Sequence, residues 1–132
     1  MNVYCIEEFK LQFLKLSSHK KYPDFVDNFS KAIFDQTFEQ ASHGRNLNSR
    51  GVVPYIKKRI KGRGGYRSHL LSIVKNQTIY LLYVYPKRGP MGISNMDSKV
   101  QGELFKIAAK AIKNNELYVV KNEKNGLIFT KK

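Results

Sequence analysis

The side chains able to do chemistry in this sequence are bases and tyrosines, and they gather in one stretch. Residues 45–90 hold eleven Lys/Arg and no Asp or Glu, a net charge of +11, against −1 for residues 1–44 and +4 for residues 91–132. A solvated face ordinarily mixes signs, because like charges repel, so an acid-free basic stretch calls for a polyanionic partner. Nucleic acid heads the candidates, since each neutralised phosphate releases counterions and adds salt-sensitive affinity. An acidic protein or a membrane surface are the alternatives. Hydrolysing RNA through its own 2′-OH needs a proton acceptor, a donor for the leaving oxygen and positive charge around the phosphate, with no metal required. Lysine, arginine and tyrosine can supply all three. A lysine among other bases has its neutral form favoured by repulsion, while arginine stays charged and stabilises the developing dianion.

Other chemistries lack their residues. His19, His43 and His69 fall in three different elements at no metal-ligand spacing, so zinc is not expected and each reads as a surface or sheet histidine. The basic stretch has no acidic pair for a two-metal phosphoryl site, and no Ser or Cys nucleophile carries a supporting motif. Cys5 is the only cysteine, which excludes an internal disulfide or a thiolate cluster, and reads as a buried strand residue. The run Lys61-Gly62-Arg63-Gly64-Gly65-Tyr66-Arg67 lacks the Lys-Ser/Thr ending of a P-loop, and Arg67 stands where a dinucleotide fingerprint needs glycine. It also leaves the RNA-recognition-motif signature after two residues. A plain flexible hairpin turn is its other reading.

The chain that must position these groups has 132 residues, 24 Lys+Arg against 10 Asp+Glu, and a formal net charge of +14. With 42% hydrophobic residues, eight Phe and eight Tyr, it can build one core and is no disordered basic tail. The longest apolar run, residues 79–85, falls far short of the roughly 20 residues of a membrane span. Glu7 and Glu8 stand where a signal peptide would be apolar, so a cytoplasmic protein without membrane contact is expected.

Residues 2–6 read as a short edge strand. Ile6, Phe9, Phe13 and Leu16 then form a helical stripe ending at Ser17-Ser18. Pro23 reads as the first-turn proline of a second helix, with Asp24 and Asp27 near its positive end and Phe25, Phe29, Ala32, Ile33 and Phe38 as its core stripe. The polar segment 39–51, including Ser49 and Gly51, reads as a loop. From Val52 the period becomes two: Tyr55, Lys57, Arg59 and Lys61 share one face of a strand over 53–61, and Pro54, Ile56, Lys58 and Ile60 the other. A glycine turn over 62–65, a strand over 66–74, a turn over 75–77 and an apolar strand over 78–85 complete a meander. Ser94 with Asp97 suggests a capping box for a third helix whose core face is Val100, Leu104, Ile107, Ala108, Ala111 and Ile112. Residues 117–120 and 127–130, around an Asn125-Gly126 turn, read as a last strand or hairpin, with the final lysines frayed. Blocks of helices and strands predict an α+β fold. The expected sheet is small and antiparallel, a three-stranded meander plus the N-terminal edge strand, packed against an N-terminal helical hairpin and a C-terminal helix. One domain is expected over 1–120, followed by a strand or tail over 121–132.

Two stretches carry a resemblance: Lys57-Lys58-Arg59-Ile60-Lys61-Gly62-Arg63-Gly64-Gly65-Tyr66-Arg67, and Ile79-Tyr80-Leu81-Leu82-Tyr83-Val84-Tyr85-Pro86-Lys87-Arg88. Together they resemble the RelE/ParE superfamily of bacterial type II toxins, and within it the HigB-like, phage-derived branch. The resemblance implies a RelE-like fold and a ribosome-dependent mRNA endoribonuclease, an mRNA interferase that cuts mRNA in the decoding site. It needs no cofactor, and an antitoxin restrains it. Carried over by position, Arg67 would stabilise the phosphate, Arg88 would be the arginine after the third strand, and Arg59 and Lys61 the basic pair, with Lys61 as base. Lys57, Lys58, Arg63 and Lys87 would add RNA-binding charge. The family's catalytic tyrosine is replaced by Ser94, leaving Tyr85, Tyr83 or Lys87 as substitutes, with Tyr85 placed in the catalytic set; Tyr66 is a packing residue. The implied partner is an acidic antitoxin of helix-turn-helix type that covers the basic face or an edge strand. A ParE-like inhibitor of DNA gyrase and a catalytically silent RNA-binding module of the same fold are the alternatives. The basic set of Arg59, Lys61, Arg67 and Arg88 favours the nuclease, and the missing tyrosine favours gyrase.

Overall fold

Period-two patterning produces the expected meander: β3 (Tyr55–Ile60), β4 (Tyr66–Ile73) and β5 (Thr78–Pro86) pair antiparallel in sequence order in a computed structural model that describes residues 1–48, 53–124 and 126–132. The readings of Ser49, Gly51, Val52 and Asn125 lie outside the described residues. The β3–β4 turn depends on left-handed backbone at Gly64 (φ 69°) and Gly65 (φ 82°), where a side chain would be strained.

The sheet is larger than expected and mixed. Its seven strands run β2-β3-β4-β5-β1-β6-β7, where β1 is Asn2–Cys5, β2 Arg45–Asn46, β6 Tyr118–Glu123 and β7 Gly126–Lys131. Strand β1 is therefore not an edge. It lies parallel to β5 and antiparallel to β6, with Val3 and Cys5 buried. Its position requires the chain to cross over between β1 and β5, which the helices and meander between them allow. Burial pushes the Cys5 thiol up to about 12, with Glu7 adding to it against Lys10. The last segment forms a hairpin, and its end is not frayed: Lys131 pairs with Tyr118, and the Lys132 N–H donates to the Leu117 carbonyl.

Helices cover both faces. On one, α1 (Glu7–Ser17) and α2 (Phe25–Ile33) bring together Phe9, Phe13, Phe25 and Phe29, with Phe13 and Phe25 5.0 Å apart and Phe129 of β7 joining at 5.7 Å from Phe13. The stripe expected to run on to Phe38 breaks. Phe38 instead opens the one-turn helix α3 (Phe38–Ala41), because Thr37 and Gln40 form a reciprocal capping box there. Pro23 precedes α2, whose N-cap is Asp24. On the other face lies α4 (Ser98–Lys113), with Phe105 stacked on Tyr55. It starts at an Asp97 cap that accepts from the Lys99 N–H, not at a box with Ser94. Only Leu104, Ala108 and Ala111 of its expected face are buried; Val100 and Ile107 are exposed. The chain is thus α+β, but the sheet is a mixed seven-stranded one between two helical layers.

Candidate nucleic-acid interface

Strand pairing sets the basic residues in rows. Arg45 of β2 pairs with Lys57 of β3, Lys57 with His69 of β4, and His69 with Tyr83 of β5. The next row is Arg59, Arg67 and Tyr85. Directly paired residues share a face, and this is the face that α4 partly covers. Strict alternation from Ile79 would send Tyr83 and Tyr85 to the opposite side with Leu81. A register shift between His69 and Leu70 leaves Leu82 unpaired and turns both tyrosines onto the basic face.

The centre of the cluster is Lys57. Burial lowers its pKa, and the charges of Lys87, Arg67, Arg45 and Arg59 lower it further. Arg67 is also pushed down, by burial and then by Arg59. Among the described residues no carboxylate forms an ion pair with these charges. The one ion pair among the described residues, Lys31 to Asp27 at 3.0 Å, lies on the exposed side of α2.

Beneath the cations is a buried polar line. The Tyr55 hydroxyl lies 2.7 Å from His69 Nδ1, and His69 Nε2 lies 3.1 Å from the Tyr85 hydroxyl. His69 is wholly buried, and burial, followed by the charge of Lys57, pushes its pKa down to about 4. The ring is therefore neutral at pH 7 and has a partner on each nitrogen. Tyr85, expected in the catalytic set, is only 1% exposed, with its hydroxyl held by His69, so it underlies the site instead of meeting a ligand.

The glycine corner is tied down from below. Asp24 caps no helix amide with its side chain; its carboxylate accepts from the Tyr66 hydroxyl at 2.6 Å and the Arg63 N–H at 3.0 Å. Burial opposes its charge, yet these two hydrogen bonds, with Asp24's own backbone N–H and the charge of Arg63, together hold the carboxyl below its usual range. Tyr66 is fully buried against Phe25 and Tyr22, the packing role expected of it. On the far side, the Lys87 N–H donates to the Gly65 carbonyl at 3.0 Å. Arg67 donates from Nη1 to the Tyr66 carbonyl at 3.0 Å, which orients its guanidinium. Replacing Asp24 by alanine leaves the buried Tyr66 hydroxyl without its acceptor and should cost about 1–3 kcal/mol. Urea unfolding reads this directly; an unchanged midpoint would show that the corner holds itself.

The structure thus brings Lys57, Arg59, Arg67 and Lys87 together, and adds Arg45. Lys58 is turned to the opposite face, where its ammonium donates to the Gln40 carbonyl at 2.9 Å and the His43 carbonyl at 3.4 Å near the end of α3. Lys61 is exposed just past β3, and Arg63 is exposed on the turn. The stem of exposed Arg88 runs along Gly64, 3.2 Å from where a Cβ would sit, and Tyr22 donates to its carbonyl. Lys87 Nζ donates to the carbonyl of Ser94 at 2.8 Å. Arg45 and His69 were not legible as site residues. A two-residue strand has no period to detect, and a lone histidine in a strand shows its partners only after pairing. Among the described residues, no three His, Cys, Asp or Glu side chains converge to hold a metal, and no helix is long and apolar enough to cross a membrane. No protein-family model, curated protein or solved structure matches the chain.

Proposed function

We propose that the chain is the toxin of a type II toxin–antitoxin pair, an endoribonuclease that cuts mRNA in the ribosomal decoding site and so inhibits translation in the cytoplasm. The observation that carries this reading is the acid-free cluster of Lys57, Arg59, Arg67 and Lys87 around a lysine whose charged form is disfavoured. In the reaction, the substrate 2′-OH attacks the adjacent phosphorus and Lys57, in place of the exposed Lys61, takes its proton. Arg67 and Arg59 neutralise the dianionic phosphorane. The 5′-oxygen leaves with a proton from Lys87, giving a 2′,3′-cyclic phosphate and a 5′-hydroxyl. The ribosome supplies strand positioning that so open a face cannot. An acidic antitoxin of helix-turn-helix type would complement the net charge of +14.

The burial of Tyr85 favours a second reading, a silent RNA-binding module of the same fold. Primer extension on a defined mRNA, with and without ribosomes, separates the two. A new 5′ end that appears only with ribosomes is expected. Intact mRNA in both lanes with folded protein would overturn the nuclease, leaving RNA binding or gyrase inhibition to be assayed.

A further inference from the structure

Two of the cations assigned to the reaction, Lys57 and Arg59, also line a cleft of about 290 Å³ between the turn that enters β2 and strand β3, which His43, Gly44 and Arg45 complete. It is close to the lower size of small-ligand clefts, and no acidic residue lines it. One wall is bare backbone. A Cβ on Gly44 would come within 2.6 Å of both the Lys57 carbonyl oxygen and Ile56 Cγ2, so only glycine lets this segment close against β3. Arg45 and Arg59 are both exposed, and neither has an ion-pair partner among the described residues. Like charges held this close destabilise the free protein, and an anion in the cleft relieves them.

The Arg45 end of the cleft is set apart from Arg67. Arg45 is two strands away and one row along, so their backbones are about 12 Å apart at ordinary strand spacing and rise. That is more than one nucleotide step along a single strand. We propose that the Arg45 end of this cleft is a second phosphate seat, which binds an internal phosphodiester of single-stranded RNA while the reacting phosphate lies among Lys57, Arg59 and Arg67. The inference rests on the RNA reading above but not on cleavage. It makes a minimum strand length a property of the site, because a ligand with one phosphate cannot occupy both seats.

Fluorescence anisotropy with 2′-O-methyl RNA octamers, which cannot be cut, tests the seat. Arg45→Ala should weaken octamer binding about tenfold at low salt and reduce the slope of log affinity against log salt by about 0.7. Arg45→Lys should restore most of the slope, and Lys15→Ala, at an exposed position of α1, should leave binding unchanged. Binding of a dinucleoside monophosphate should be insensitive to Arg45→Ala. Equal losses in Lys15→Ala and Arg45→Ala would reduce the effect to bulk charge and overturn the seat. A loss seen only with a 5′-phosphorylated octamer would make it a terminal-phosphate site and overturn the internal one. Loss in Arg67→Ala without loss in Arg45→Ala sinks this inference and leaves the RNA reading standing. An octamer that the wild type does not bind at low salt removes both.

Discussion

On the proposed nuclease reading, Arg67→Ala should lower ribosome-dependent cleavage by about 10²–10³-fold, the usual cost of removing one preorganised donor from a developing oxyanion. The guanidinium is held by its bond to the Tyr66 carbonyl and faces Arg59 across the β3–β4 ladder, so its charge is in place before substrate arrives. Gly65 keeps the approach open, with Nη1 3.2 Å from where a Cβ would stand. Arg67→Lys keeps the charge but loses the planar fork and should recover only part of the rate. Initial rates of the primer-extension product give the ratio, and thermal unfolding of the same samples shows that the fold is intact. Rates within twofold of wild type would remove Arg67 from the chemistry.

Lowering the pH from 6.5 to 4 should destabilise the protein by about 3 kcal/mol through His69 alone, given a shift from 6.5 to about 4. The unfolded chain binds a proton near 6.5 that the folded chain refuses until near 4. The stabilisation is therefore complete above 6.5 and is lost as the pH falls through that window. Asp24, whose carboxyl is held low, loses its contribution only at still more acid pH, so the two effects separate. His69→Gln should flatten the slope between pH 6.5 and 4 in urea unfolding. His69→Ala should cost about 2–4 kcal/mol at pH 7, since it opens a cavity and strands the hydroxyls of Tyr55 and Tyr85. Parallel pH profiles for wild type and His69→Gln would disprove the assignment.

Much of this molecule is readable residue by residue. The stripe of Ile6, Phe9, Phe13 and Leu16 specifies α1, the glycine turn and flanking alternation specify the β3–β4 hairpin, and the acid-free charge of residues 45–90 marks the face to examine. Each is a local signal, because helix and strand periods and turn backbone are set by neighbours along the chain. Which strand lies beside which is a long-range choice that leaves no local trace. That choice placed β1 inside the sheet, gave Arg45 to Lys57, and shifted Tyr83 and Tyr85 across at Leu82. It also turned Lys58 away to the end of α3 and closed Tyr55 and Tyr85 around His69. The charge and the elements that carry it are written locally along the chain, whereas which cations meet follows from burial and strand pairing, which act between residues far apart in it.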